Sequence, residues 1–171
     1  MTRLKTTTWL AASLGALLVG TASLHAMDIG GPISATLTIT EDSQLVDDVT
    51  CTVTGAPCIA VGAPNVTLEL NGFTITGQAD PQIGCNGAGT GAEIGIDVNT
   101  QTGVAIRGPG LVKQFRGHGI RLLNSTSGTI VGVTTSTICF SGIFVTGGSD
   151  HRIDRNVSVR AGNATASCGG I

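Results

Sequence analysis

Three residues have side chains that together suit proton abstraction from an anionic substrate: Asp97, His118 and Arg121. A polyuronate lyase or epimerase needs a cation to neutralise the substrate carboxylate and a base to remove the C5 proton. Arg121 or Lys113 supplies the cation, and His118 supplies the base. Glycoside hydrolysis needs two carboxylates at a suitable separation, and Asp97 is the only carboxylate in this set. These residue types therefore favour elimination or epimerisation over hydrolysis.

The candidates for glycan contact are Lys113, Arg116 and Phe144. Beyond residue 26 the chain has no Trp or Tyr, and Phe144 is the one Phe that the repeat described below directs outward. Charge recognition of an acidic glycan is therefore favoured over stacking on a neutral sugar. The competing interpretation of His118, which lies between Gly117 and Gly119, is an ordinary surface turn residue.

An internal repeat in the sequence predicts how these side chains are positioned. A small residue followed by an apolar-x-apolar triplet occurs at 58–61, 95–98, 119–122 and 142–145, and Gly170-Ile171 begins another. The isoleucines are 37, 24, 23 and 28 residues apart, and a Gly-rich insertion at 78–91 lengthens the first interval. Period-two alternation broken by Gly, Asn and Ser predicts short strands that stack as parallel sheets about 4.8 Å apart. The outward residues Ala60, Asp97, Arg121 and Phe144 are then expected to form a column.

The segment 65–77, Asn-Val-Thr-Leu-Glu-Leu-Asn-Gly-Phe-Thr-Ile-Thr-Gly, resembles the first coil of pectin-lyase-like proteins. The resemblance implies an all-β, right-handed parallel β-helix of about four coils, with a polysaccharide groove on the outer face of one sheet. That family includes lyases, hydrolases, epimerases, tailspikes and adhesins, so the fold does not decide the function. Three hypotheses stay open: contact with an anionic polysaccharide, a non-catalytic structural or adhesive solenoid at the cell surface, and a polyuronate lyase or epimerase.

The first 26 residues have the pattern of a bacterial-type signal peptide. Arg3 and Lys5 precede an uncharged, mostly apolar run at 9–19, and cleavage is expected after Ala22 or Ala26. Residues 27–57 are expected to form N-terminal cap strands, and 58–171 the coils. We expect a secreted, periplasmic or cell-surface protein with no membrane span after signal removal. Because Ile171 begins a new strand, we expect an incomplete helix, whose open end needs missing coils or a partner.

Charge is divided unevenly along the chain. Nine acidic residues and no basic residue lie between 27 and 104, whereas seven basic and two acidic residues follow. The basic half suits an anionic polymer, and ordinary surface charge is the alternative. Nucleic acid is not expected as a partner of an acidic, exported chain.

Five cysteines follow the signal segment. Cys139 and Cys168 occupy near-equivalent repeat positions, which predicts a disulfide between them. Cys51 and Cys58 are expected to close the first turn, leaving Cys85 free. No spacing indicates zinc and no motif indicates a cofactor. Calcium is a weaker alternative, with oxygen ligands from Asp80, Glu93 and Asp97.

Overall fold

The computed structural model describes residues 26–79, 85 and 90–162. The secondary structure of this part is β-strand, apart from one 3-10 turn at Thr90–Ala92. The strands are β1 (Met27–Ile33), β2 (Leu37–Ile39), β3 (Ser43–Cys51), β4 (Ile59–Val61), β5 (Thr67–Glu69), β6 (Thr74–Thr76), β7 (Ile96–Asn99), β8 (Ala105–Lys113), β9 (Ile120–Thr126), β10 (Thr129–Ile138), β11 (Ile143–Ser149), β12 (Arg152–Asp154) and β13 (Val157–Ala161). No helix in the described ranges has the length and apolarity needed to cross a membrane.

The strands form two sheets in which every pairing is parallel. Sheet A has the order β1-β3-β5-β8-β10-β12, with β6 and β13 beside it, and sheet B has the order β11-β9-β7-β4-β2. The chain alternates between the sheets, and each pass through sheet A and then sheet B adds one layer. This confirms the predicted all-β architecture with parallel sheets, and the alternation is compatible with a solenoid. The predicted cap segment, 27–57, supplies β1 to β3, which pair within these same sheets.

Columns of aliphatic side chains form the core between the sheets. Ile59, Ile96, Ile120 and Ile143 are partners in successive strands of sheet B, and none is more than 2% exposed. The predicted isoleucine repeat is therefore confirmed as a core column. Burial of one such side chain contributes about 1.5–3 kcal/mol to folding. A single layer cannot bury its own apolar side chains, so each layer is stabilised by the layers stacked on it.

The corners between sheet A and sheet B repeat the same backbone conformation. Gln114, Thr137 and Arg160 follow paired residues of β8, β10 and β13, and all three have φ between 55° and 61°. Left-handed backbone at a non-glycine residue costs about 1–2 kcal/mol. The cost recurs at each corner because the chain has to change direction at the same place in every layer.

Sheet A is interrupted midway along its strands. The pairing of β8 with β10 shifts register between Val131 and Val133. Asn156 of the next layer fills the interruption, since its Oδ1 accepts from Val133 N at 2.8 Å and its Nδ2 donates to Ile130 O at 2.8 Å. Asn71 makes a similar bond to Leu45 O at 3.1 Å. Side-chain amides thus satisfy backbone groups that the strand ladder leaves unpaired.

Two disulfides lie within the described residues. Cys51 pairs with Cys58, as predicted, with their Cα atoms 6.0 Å apart. Cys139 pairs with Cys85, with Cα atoms 5.2 Å apart, so the predicted Cys139–Cys168 bridge and a free Cys85 are both wrong. The prediction considered only partners within the repeat, whereas the partner comes from the 78–91 insertion. Cys168, Gly170-Ile171, Asp80 and most of the signal segment lie outside the described residues.

Candidate functional site

The predicted outward column is present on sheet B. Ala60 pairs with Asp97, Asp97 with Arg121, and Arg121 with Phe144, each pair in adjacent parallel strands. The register predicted from the sequence repeat for these four residues is therefore correct. The column joins a carboxylate, a guanidinium and an aromatic ring in three consecutive layers.

Asp97 and Arg121 form a bidentate ion pair within this column. Arg121 donates from Nε to Oδ1 of Asp97 at 2.7 Å and from Nη2 to Oδ2 at 2.9 Å. The Asp97 side chain is 9% exposed and that of Arg121 is 23% exposed. Both carboxylate oxygens are thus occupied, and a substrate carboxylate would have to displace Asp97 to reach the same guanidinium edge.

His118 is buried behind this column, which excludes the surface-turn interpretation. Its ring stacks on Phe144 with centroids 4.3 Å apart and planes inclined by 12°. The pKa of His118 is lowered from 6.5 to about 4, mainly by burial and in part by the charge of Arg121, whereas Asp97 opposes the shift. His118 is therefore neutral at pH 7.

The hydrogen bonding of His118 limits its use as a base. Ser141 N donates to Nδ1 at 3.3 Å, which assigns the ring proton to Nε2. A neutral imidazole has one lone pair in the ring plane, and here that lone pair already accepts a hydrogen bond. A general base needs this lone pair free and within reach of the substrate proton.

Glu93 and Arg116 form a second buried ion pair. The sequence analysis named both residues but did not predict that they pair. Arg116 donates from Nε to Oε2 at 2.5 Å and from Nη2 to Oε1 at 2.7 Å. Oε1 also accepts from Gly55 N at 3.1 Å. The two charged residues are 23 residues apart, close to the repeat length, and that spacing was the available signal. Arg116, a predicted glycan contact, is thereby engaged within the protein.

Lys113 does not join this cluster. It ends β8 in sheet A, where it lies between Thr76 and Ser136 of the neighbouring strands. Phe144, the other predicted glycan contact, is half-buried and covers His118. The predicted site residues therefore separate into a neutralised cluster on sheet B and a lysine on sheet A.

The calcium alternative depended on Asp80, Glu93 and Asp97. The carboxylates of Glu93 and Asp97 are both paired with arginines, and Asp80 lies outside the described residues. Within the described ranges, no group of three or more His, Cys, Asp or Glu side chains could hold a metal ion.

Sheet A has an open groove that sequence reasoning did not identify. The groove has a volume of about 400 Å³ and is lined by Glu69, Arg107, Gly108, Pro109, Val131, Gly132 and Arg155. Arg107 donates to Glu69 at 3.2 Å, and its side chain is 52% exposed; that of Arg155 is 74% exposed. Glu69, Arg107, Val131 and Asp154 are partners in successive layers, so the short Val131 leaves a depression between longer side chains.

The groove depends on local backbone geometry as well as on side-chain length. Gly132 has φ of 70° at the register shift of β10, and the Gly108-Pro109 peptide is cis. A Cβ atom at Gly108 would overlap the carbonyl oxygen of Gly132. Glycine at 108 allows the two backbones to approach, and glycine at 132 accommodates the positive φ at the register shift; together they form the floor of the groove.

Comparisons of the chain with protein families, with curated proteins and with solved structures find no match.

Proposed function

We propose that this chain is an exported, right-handed parallel β-helix repeat protein that binds an anionic polysaccharide without turning it over. The groove between Arg107 and Arg155 on the outer face of sheet A carries the proposal. The guanidinium groups of both residues are well exposed and line this concave surface.

The right-handed helix and the pectin-lyase-like resemblance are supported by the connectivity. Each strand returns to the same sheet through a strand of the other sheet and pairs in parallel. Parallel crossovers of this kind are right-handed in about 98% of cases. Export is supported by the pattern of residues 1–26 and by two disulfides, which persist in oxidising compartments.

The chemistry of the groove suits a sugar that bears a carboxylate or a sulfate. A guanidinium presents a planar fork of N–H donors that matches such oxyanions in a bidentate manner. Pro109 and Val131 offer an apolar floor to the C–H face of a sugar ring. Glu69, which already pairs with Arg107, is placed to accept hydrogen bonds from sugar hydroxyls.

The cluster on sheet B supports binding rather than catalysis. A lyase or epimerase needs a free cation and a free base, but Arg121 is committed to Asp97 and the Nδ1 of His118 accepts from Ser141. These contacts give Asp97, His118 and Arg121 a role in packing. The polyuronate lyase or epimerase alternative would require this cluster to open.

The binding test compares two double variants with equal charge change. Arg107→Gln/Arg155→Gln removes both groove cations, whereas Arg152→Gln/Arg160→Gln removes two arginines that do not line the groove. Each is titrated with polygalacturonate, alginate, a sulfated glycan and a neutral glucan at low and high salt. We expect the groove variant to bind acidic glycans at least about tenfold more weakly, a loss of about 1.4 kcal/mol, and the control to bind nearly as wild type.

Equal weakening by both double variants would show that net charge, rather than the groove, attracts the polymer. Unsaturated products from a uronate polymer would overturn the non-catalytic proposal and direct attention to Asp97, His118 and Arg121. Absence of binding to every glycan would favour the second candidate, a structural or adhesive solenoid. The cross-layer ion pairs and two disulfides, which stiffen the stack, are the observations that favour that candidate.

A further inference from the structure

The dipeptide Asn71-Gly72 has a chemical reactivity that the proposed function does not use. In such a pair the backbone nitrogen of glycine can attack the side-chain amide carbon of asparagine, because glycine has no Cβ atom to hinder the approach. Within residues 26–79, 85 and 90–162, Asn71 is the only asparagine that a glycine follows. Both residues are exposed, so water and hydroxide reach them.

The dipeptide lies in a layer that has a neighbouring layer on each side. It joins β5 to β6, and both of these strands lie between β3 and β8 in sheet A. The backbone is left-handed at both residues, with φ of 50° at Asn71 and 86° at Gly72. This turn interrupts the strand, and its two residues bind different layers.

Asn71 binds the preceding layer and Gly72 binds the following one. The side-chain Nδ2 of Asn71 donates to Leu45 O at 3.1 Å and to Gln44 Oε1 at 3.4 Å, both on β3. The backbone N of Gly72 donates to Pro109 O on β8 at 2.6 Å. The amide that would be attacked and the N–H group that would attack it are thus held by opposite neighbours.

These hydrogen bonds oppose the reaction. Ring closure requires the Gly72 nitrogen to give its proton to hydroxide and to form a bond with Cγ of Asn71. The Cγ–Nδ2 bond then breaks, ammonia leaves with a proton from water, and water opens the succinimide ring to aspartate or isoaspartate. The contact with Pro109 O shields the proton, and the contacts with Leu45 and Gln44 keep the amide on the other side of the layer. Both sets of contacts therefore have to break first.

We infer that Asn71-Gly72 is a latent modification site, closed while its layer is stacked between β3 and β8 and converted to aspartate or isoaspartate when these layers separate. The conversion also prevents the original closure. A carboxylate at 71 has no N–H group to donate, and it would face the oxygens of Leu45 and Gln44, which only accept. Isoaspartate lengthens the main chain and so displaces Gly72 N from Pro109 O. The site thus records an opening irreversibly.

The experiment follows Asn71 by peptide mass spectrometry in mildly alkaline buffer, with isoaspartate distinguished from aspartate, in folded protein and in protein unfolded by urea. In the folded protein the reaction proceeds only from opened molecules, which are a small fraction of the population. We expect folded protein to convert Asn71 at least about tenfold more slowly than unfolded protein. Equal rates in the two states would overturn the inference, and so would an Asn71 that stays intact in urea.

Thr100→Gly provides a matched control within the same molecule. It gives Asn99 a glycine neighbour at an exposed position where φ is already 59°, and the backbone N of residue 100 donates to Leu123 O of the next layer at 2.8 Å. Within the described residues the Asn99 side chain makes no hydrogen bond, so one of the two restraints is missing. We expect Asn99 of this variant to convert faster than Asn71 in the folded state and at a similar rate in urea. Equal protection of both asparagines would show that the two-sided contact is not the cause, which overturns the inference.

Asn71→Asp reproduces one product of the reaction directly. It should lower the urea midpoint of unfolding, because the new carboxylate cannot donate to Leu45 O. Asn99→Asp makes the same exchange at an exposed position and should leave the midpoint unchanged. A midpoint of Asn71→Asp equal to that of wild type would contradict the claim that conversion prevents closure. None of these measurements uses a glycan, so the inference and the proposed function succeed or fail separately.

Discussion

The imidazole of His151 lies over Gly128 of the preceding layer, and Gly128 N donates to its Nδ1 at 3.1 Å. These residues occupy the corner at which earlier layers have Val66 and Val104, as the backbone hydrogen bonds show. A Cβ atom at 128 would stand 2.9 Å from the His151 Nδ1 and 3.0 Å from Cδ1 of Leu122. The missing side chain of one layer thus provides the space for the ring of the next.

Gly128→Ala is expected to destabilise the protein by about 1–3 kcal/mol, because the added methyl group displaces the His151 ring. The same substitution should cost clearly less in a His151→Ala background, where the space is free. Urea unfolding of the four proteins in this cycle measures the coupling. If Gly128→Ala lowers the unfolding free energy equally in both backgrounds, the contact with His151 is not the reason that residue 128 must be glycine.

The buried pair of Asp97 and Arg121 gives an asymmetric prediction. Arg121→Met leaves a carboxylate that is 9% exposed without its partner and should cost about 3–5 kcal/mol. Asp97→Leu combined with Arg121→Met removes both charges and should recover most of that loss. Chemical denaturation of the single and double variants tests this. A double variant no more stable than Arg121→Met would mean that packing of the arginine stem, rather than the ion pair, stabilises the column.

His118 links stability to pH in a defined window. Its folded-state pKa is about 4, below the 6.5 of the unfolded chain, so the unfolded state binds the proton more tightly. The contribution of neutral His118 is fully present above pH 6.5 and is lost as the pH falls from 6.5 towards 4. Full loss corresponds to roughly 3 kcal/mol.

His118→Gln should therefore flatten the dependence of unfolding free energy on pH between 6.5 and 4. His151→Gln is the matched control and tests whether the effect belongs to His118. Parallel pH profiles for wild type and His118→Gln would rule out this assignment. NMR titration of the imidazole resonances measures the pKa of His118 directly.

The repeat explains which features could be predicted and which could not. Ile96, Ile120 and Ile143 recur at one position in each layer, and strand alternation then determines which neighbours point outward, including Asp97 and Arg121. The spacing of Glu93 and Arg116 follows the same rule. The groove near Val131 depends on a register shift and on close backbone approach at Gly108 and Gly132, which side-chain periodicity does not report.

The burial of His118 and the pairing of Cys85 were unpredictable for a different reason. The ring of His118 is covered by Phe144 from the next layer and approached by Phe140 at 5.6 Å between centroids. Its environment is thus set by residues more than twenty positions away. Cys85 belongs to an insertion, and the repeat provides no register for a segment outside it.

Cys139 follows β10 directly, so its bridge attaches Cys85 of the 78–91 insertion to the C-terminal end of that strand. Non-reducing peptide mapping should recover the Cys85–Cys139 pair from the oxidised protein. The bridge spans 54 residues, and the chain-entropy estimate for a loop of that length is about 4 kcal/mol. Cys85→Ser should therefore lower the unfolding free energy by several kcal/mol. Cys51→Ser, whose bridge spans 7 residues, serves as the comparison and should lose less through chain entropy. A Cys139–Cys168 peptide in the map would contradict the assignment, because Cys139 can form only one disulfide.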